Sequence, residues 1–274
     1  MARQRLGQHF LADEQWREQI ARAIRVSPHS LAPRATGGEQ NACWIEIGAG
    51  HGEMTEDLVV SGLPVIAVEL DPMLAGALKK LAKKWPNLTV LHADVLETDL
   101  AVVAAGRRIQ LYGNLPYYIT SPILQHFFLF ATIIDEIHLV IQKEVAERLC
   151  ASPGSKDYGY LSVLTQLYAR AELVFEIPPE AFQPPPEVDS ALVSLHLPGK
   201  KTEIAAGEIE EFLEFVKMCF AQKRKTLANN LRALAKPAEV REVLRSLQLR
   251  EDARAEQLSV EEFEALRKAI SSES

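Results

Sequence analysis

The chain has 274 residues, 47% of them hydrophobic and 24% charged, with a formal net charge of −7. These proportions are ordinary for a soluble globular protein with one sizeable core plus an appendage, or with two domains, and the net charge argues against indiscriminate nucleic-acid binding. No apolar run approaches the ~20 residues needed to span a bilayer, and Met1-Ala2-Arg3-Gln4-Arg5 leads into polar residues with no signal-peptide core. Three widely spaced cysteines (Cys43, Cys150, Cys219) suggest neither a disulfide framework nor a zinc site, so a cytoplasmic protein without membrane partner or bound metal is expected.

Residues 1–12, with Leu6-Gly7-Gln8-His9-Phe10-Leu11, are too short for an element of their own. An amphipathic helix is predicted from Asp13 to Arg25, with Trp16, Ile20 and Ile24 on one stripe, and 28–42 reads as a loop. Strands are then predicted at Cys43–Ile47, Pro64–Glu69, Leu88–His92, Ile109–Gly113 and Glu136–Gln142. Helices at Glu53–Ser61, Pro72–Lys84 and Ser121–Phe130 separate most of them. Continuous apolar strands alternating with helices predict an α/β fold whose parallel sheet is covered on both faces. Two later strands, Glu172–Ile177 and Ala191–Leu197, flank the proline-rich stretch 178–186 and can close the sheet, one of them antiparallel.

Beyond Pro198-Gly199-Lys200-Lys201 the pattern is helical: Glu208–Ala221, Thr226–Ala235, Ala238–Leu247 and Val260–Ile270. The expected domains are therefore 1–198, carrying the sheet, and 199–274, all helical. Between Lys217 and Arg241 seven basic residues (Lys217, Lys223, Arg224, Lys225, Arg232, Lys236 and Arg241) stand against one acid, Glu239. Such a face can hold phosphates on an acidic protein, although a basic run is also how a solvated helix face looks.

The chemistry collects at predicted strand ends. The first strand runs into Glu46-Ile47-Gly48-Ala49-Gly50-His51-Gly52-Glu53, a G-x-G-x-G turn before a helix, where backbone approaches a ligand closely. Glu69 ends the second strand, placed to accept both ribose hydroxyls of an adenosine cofactor; Asp94 follows the third, placed to accept from an adenine amino group. The fourth leads into Asn114-Leu115-Pro116-Tyr117. The Asn114 side-chain oxygen and a free backbone carbonyl offer a planar amino group two acceptors, and Tyr117 offers a stacking face. Singly these motifs are also what a tight turn, a helix cap or a proline-stopped loop would show. Four at consecutive strand ends lie on the carboxyl edge, where doubly wound sheets bind ligands.

The arrangement resembles the S-adenosylmethionine-dependent methyltransferases, with N-L-P-Y as their amino-methylating motif. Further stretches narrow the resemblance: Leu6–Leu11, Gln142-Lys143-Glu144-Val145-Ala146, Tyr158-Gly159-Tyr160-Leu161-Ser162, Ala181–Ser190 and Phe220-Ala221-Gln222-Lys223-Arg224-Lys225-Thr226-Leu227. With these, residues 5 to 265 resemble the small-subunit (16S) rRNA adenine N6,N6-dimethyltransferases. The resemblance implies a Rossmann-like methyltransferase sheet with a small all-helical C-terminal domain that binds RNA, and S-adenosyl-L-methionine as cofactor. It implies cofactor contacts from His9, Leu11, Gly48, Gly50, Glu69, Asp94 and Asn114. His9 stands where many members carry Asn, and Tyr118 where Asn is frequent.

By the same resemblance Asn114, Leu115, Pro116 and Tyr117 form the reaction centre and Phe182 stacks on the target adenine opposite Tyr117, although an aromatic at a proline-rich turn also reads as core. Lys223, Arg224, Lys225 and Arg232, helped by Arg3 and Arg5, would hold phosphates. The implied substrate is two adjacent adenosines in the 3′-terminal hairpin loop of 16S rRNA, within the small (30S) subunit or its precursor, and a monomer is expected. The alternatives are a large-subunit rRNA adenine methyltransferase of the antibiotic-resistance type and a ribosome-assembly factor acting mainly by binding.

Overall fold

A computed structural model describes residues 9–26, 41–116, 119–199, 204 and 206–272. Chain contacts group them into two compact units, one of Met1–Ala146 with Ala171–Pro198 and one of Glu147–Arg170 with Gly199–Ser274. The boundary expected at 198–199 therefore has a second crossing near 146–171. Predicted features at 1–8, most of the loop at 28–42, and Tyr117 and Tyr118 lie outside the described residues.

The first unit is built on strands β2 (Ala42–Ile47), β3 (Val65–Glu69), β4 (Leu88–His92), β5 (Arg108–Asn114), β6 (Ile134–Gln142), β7 (Arg170–Ile177) and β9 (Ser190–His196). They form a seven-stranded sheet in the order β4-β3-β2-β5-β6-β9-β7. Strands β2 to β6 pair in parallel, and β9 lies antiparallel to β6, from Glu136 opposite His196 to Gln142 opposite Ser190. The early strands are apolar because helices take both faces: β2, Ala-Cys-Trp-Ile-Glu-Ile, is buried at every position. The helices are α1 (Glu14–Ala23), α2 (Glu53–Val60), α3 (Pro72–Leu81), α4 (Leu100–Ala104) and α5 (Thr120–Phe128). Side chains start several of them. Asp13 Oδ1 accepts from the Gln15 and Trp16 N–H groups, and Asp71 Oδ1 from Met73 and Leu74, with Pro72 opening α3.

Residues 10–11 do form an element. Strand β1 (Phe10–Leu11) pairs antiparallel with β8 (Phe182–Gln183) in a small second sheet. Two residues carry too little periodicity to announce a strand; the partner about 170 residues downstream makes it one.

In the second unit, Phe212, Phe215, Val216, Leu227, Leu244 and Phe263 share a core with Tyr158 and Val163. It contains the end of α6 (Lys143–Cys150), α7 (Tyr160–Tyr168), α8 (Ile209–Cys219), α9 (Leu227–Asn230), α10 (Pro237–Ser246) and α11 (Val260–Ser272). Helices α6 and α7 are additions to the predicted elements: α6 follows β6 without a break, and α7 is rich in aromatic and β-branched residues. Ser162 starts α7, its Oγ accepting from the Gly159 N–H at 3.0 Å and donating to the Arg148 carbonyl at 2.6 Å. The helix expected over Thr226–Ala235 shrinks to α9. Asn230 turns its amide back onto the Cys219 carbonyl at 2.6 Å and the Gln222 carbonyl at 3.2 Å, and Asn229 binds Thr226 Oγ1, so side chains compete with helix continuation.

Candidate active site

Strands β2 and β5 are neighbours, with β3 and β4 beyond β2 and β6 beyond β5. The crossovers reverse between β2 and β5, and a sheet of this kind opens a ligand crevice at that point, at its carboxyl edge. Ile47 stands opposite Gly113, so the turn after β2 lies beside Asn114 at the end of β5. A side chain on Gly48 would begin 3.9 Å from the Asn114 carbonyl oxygen. Gly48 and Gly50 hold φ of +66° and +59°, which side-chain-bearing residues rarely adopt, and a Cβ on Gly50 would lie 3.0 Å from the Phe10 ring. The turn is thus a bare-backbone cradle. The following helix α2 begins at Gly52 with no side-chain cap.

The acids predicted at strand ends are there, and each also braces the backbone. Glu69, buried, accepts from the Gly50 N–H through Oε2 at 2.9 Å and from the Asp71 N–H through Oε1 at 2.8 Å. It thereby holds the glycine turn against β3. Each carboxylate oxygen can accept more than one hydrogen bond, so these leave capacity for ribose hydroxyls. Asp94 Oδ1 accepts from the Leu96 N–H at 2.9 Å, so the acid expected to meet the cofactor adenine caps the turn that follows it. Exposed Leu70, next after Glu69, and Leu96, two residues after Asp94, supply apolar surface that the sequence does not flag.

A pocket at this edge is walled by Phe10, Leu11, Gly48, Gly50, Tyr112 and Asn114, and also by Glu46. Sequence reasoning gives Glu46 no role. The residue is 2% exposed, and its carboxylate takes a hydrogen bond from Thr55 Oγ1 at 2.5 Å. Burial, reinforced by the negative charges of Glu53, Glu69 and Asp57 and opposed by the Thr55 hydroxyl, pushes its pKa up to about 8. The signal that could have found it is a lone acid inside an otherwise apolar strand.

Asn114 Nδ2 donates to the His9 carbonyl at 2.8 Å, and the His9 ring Nδ1 lies 2.8 Å from the Pro184 carbonyl. Leu11 is buried opposite Phe182. Leu115 is buried as well, its N–H bonded to the Val140 carbonyl, so its side chain serves packing while its backbone carries the turn. The Pro116 carbonyl accepts from the Ile119 N–H at 3.3 Å. Phe182 is 3% exposed, in the core shared by Trp44, Tyr112 and Val140, and is not presented to solvent. Asn114, Gly48, Gly50, His9 and Leu11 are thus brought together, with Glu69 tied to them through Gly50.

In the second unit Lys223, Arg224, Lys225 and Arg232 are exposed, and Lys223 Nζ donates to the Lys156 carbonyl at 2.7 Å. Lys217 and Lys236 pair with Glu214 and Glu239, whereas Arg224, Lys225 and Arg232 have no ion-pair partner among the described residues. No group of three or more potential metal ligands occurs among the described residues.

The bare glycine cradle, with an acid at each of the next two strand ends, fits a nucleoside-bearing cofactor of the S-adenosylmethionine type. Comparison with known proteins gives the same direction. The family model for ribosomal RNA adenine dimethylase matches residues 1–272. A ribosomal RNA small subunit methyltransferase A of Xylella fastidiosa is 40% identical over 270 residues, 98% of this chain and 96% of its own length. One from Koribacter versatilis is 37% identical over 94% of this chain and 90% of its own. Among solved structures, a dimethyladenosine transferase from Plasmodium falciparum superposes with a TM-score of 0.77 at 23% identity, covering 96% of this chain and 98% of that one. The 23S rRNA methyltransferase ErmE gives 0.67 at 24%, covering 96% and 99%. At those identities the two structures support the fold.

Proposed function

The chain belongs to the ribosomal RNA adenine dimethylase family and is an S-adenosylmethionine-dependent enzyme, and from that premise we propose that it methylates N6 of two adjacent adenosines in the 3′-terminal hairpin loop of 16S rRNA. The products are N6,N6-dimethyladenosines, formed on the small (30S) subunit or its precursor, in the cytoplasm, by a monomer. The observation that carries the reading is Asn114 at the end of β5, beside the glycine turn of β2. The large-subunit alternative is not favoured, because relatives at 37–40% identity over nearly the whole chain bear the small-subunit name.

When bound, S-adenosylmethionine supplies an electrophilic sulfonium methyl. Gly48 and Gly50 would line its methionine portion, Glu69 would take the ribose hydroxyls and Asp94 the adenine amine, with His9 and Leu11 closing from the N-terminal strand. The exocyclic amine of the target is a poor nucleophile, because its lone pair is delocalised into the ring. The Asn114 side-chain oxygen and the Pro116 carbonyl each accept a hydrogen bond from one N6–H, which favours a pyramidal nitrogen with its lone pair exposed. Orientation of this kind supplies on the order of 7–11 kcal/mol. No strong base is needed, since the N6 proton becomes acidic once nitrogen is alkylated. After the first transfer a single N6 proton remains and one acceptor loses its partner.

The target must be unstacked, which suits a loop adenosine. Tyr117 and Phe182 bracket it, each stack worth roughly 1–3 kcal/mol. Because Phe182 is buried in the described structure, its ring must be uncovered as the base enters. Lys223, Arg224, Lys225 and Arg232 of the helical unit hold the phosphate backbone. Asn114→Ala tests the centre of this reading: single-turnover transfer to small subunits is expected to fall about 10²-fold or more, the loss typical of one preorganised polar contact to the reacting group. Wild-type turnover would overturn the assignment.

A further inference from the structure

Strand β1 of the two-stranded sheet lines the pocket through Phe10 and Leu11. From the N-terminal side, the His9 carbonyl accepts from Asn114 Nδ2 at 2.8 Å, over a separation of 105 residues. Phe10 packs edge-on against His51 with ring centroids 4.5 Å apart, and its ring closes over Gly50. Leu11 pairs with Phe182. The strap is anchored at its far end, where the Ala12 and Asp13 N–H groups both donate to the Ala181 carbonyl at 2.9 and 3.1 Å. The His9 ring adds a contact to the Pro184 carbonyl.

A carboxamide is ambivalent: turned one way it presents an acceptor to a ligand, and turned the other way it presents two donors. A target amine needs the acceptor. With Nδ2 committed to the His9 carbonyl, the amide cannot turn over without losing that bond and opposing two carbonyl-type oxygens. We propose that the β1–β8 strap is a positioning element that fixes the Asn114 side chain with its oxygen toward the target amine, through the His9 main-chain carbonyl. The inference rests on the reading of Asn114 as the amine-binding residue. It assigns the strap a role in the chemical step besides any contact with the cofactor.

Asn114→Asp isolates the claim, because aspartate keeps an acceptor for the amine and loses the donor to His9. Hydrogen exchange of the amides of residues 9–13, measured on the full chain with and without S-adenosylhomocysteine, reads the strap directly. Single-turnover transfer to small subunits reads kcat apart from KM. In Asn114→Asp the strap amides are expected to exchange about tenfold faster, the value of one hydrogen bond. Its kcat should fall about 10²-fold with KM for the subunit nearly unchanged. Phe10→Ala, which alters no reacting group, should show the same signature in weaker form, and it carries the test alone if Asn114→Asp does not fold. Near-wild-type kcat in Asn114→Asp, or a fall in kcat with strap exchange unchanged in the variant tested, overturns the proposal and leaves the amine-binding role of Asn114 standing. An active Asn114→Ala would instead remove the reading beneath it.

Discussion

Glu46 shows how one residue can tie stability to the site. Its carboxyl is held up to about 8 against an ordinary 4.5, so the native state binds its proton more tightly than the unfolded chain does. The stabilisation is fully present below about 4.5 and is lost as pH rises through about 8. Glu46→Gln keeps the shape and a partner for Thr55 while abolishing the titration. The variant and the wild type, both without cofactor, are expected to melt at similar temperatures at about pH 5, with the variant melting higher at about pH 8 and above. Equal melting temperatures across the range would show that the carboxyl is ionised in the folded protein without cost. The positions of Gly48, Glu69, Asp94 and Asn114 at or just beyond strand ends were legible in the sequence because strand pattern and punctuation are local. Glu46 was not, because only burial separates a neutral carboxyl from an ordinary charged one. Phe182 was legible as a motif, yet its burial could not be read, because that depends on Leu11 arriving from 171 positions away.

At the scale of elements, the glycine turn is the piece most sensitive to a single methyl group. Gly50→Ala would place a Cβ 3.0 Å from the Phe10 ring at a φ of +59°. The backbone strain alone costs on the order of 1–3 kcal/mol, and the Gly50 N–H that Glu69 accepts would shift with it. A lower melting temperature is expected, together with weaker S-adenosylhomocysteine binding by calorimetry. Unchanged binding would mean that the turn does not shape the cofactor site. The sheet was foreseeable element by element, with β4 predicted at Leu88–His92 and found there, since period and punctuation are local properties. Elements held by partners distant in sequence were not: β1 exists through β8, and α9 ends where Asn230 caps the carbonyls of Cys219 and Gln222.

For the whole molecule, the charge distribution decides what the enzyme can hold. A net charge of −7 repels a polyanion, so binding must come through local basic surface. Arg224 and Lys225, exposed and without ion-pair partners among the described residues, are suited to it. Lys223→Ala, Arg224→Ala and Lys225→Ala combined should weaken binding to small subunits and make its dependence on salt shallower. The log–log slope should fall by up to about 2–3, at roughly 0.7–0.9 for each phosphate no longer neutralised. S-adenosylhomocysteine affinity should not change. An unaltered salt slope would place the RNA-binding surface elsewhere. Strand patterns stop near 198, where the sequence puts its boundary, but the grouping of 147–170 with the later helices was not legible. Those residues lie between two strands in sequence, and their apolar faces find a core contributed mostly from beyond 204.

The most direct test of the whole account is transfer of labelled methyl groups from S-adenosylmethionine to small subunits isolated from cells lacking this modification. Large subunits and naked rRNA serve as parallel substrates, and the products are resolved as mono- or dimethyladenosine. Dimethyladenosine is expected at two adjacent positions of the 3′-terminal hairpin, on small subunits alone. Label on large-subunit RNA, or subunits bound firmly but left unmethylated, would contradict it.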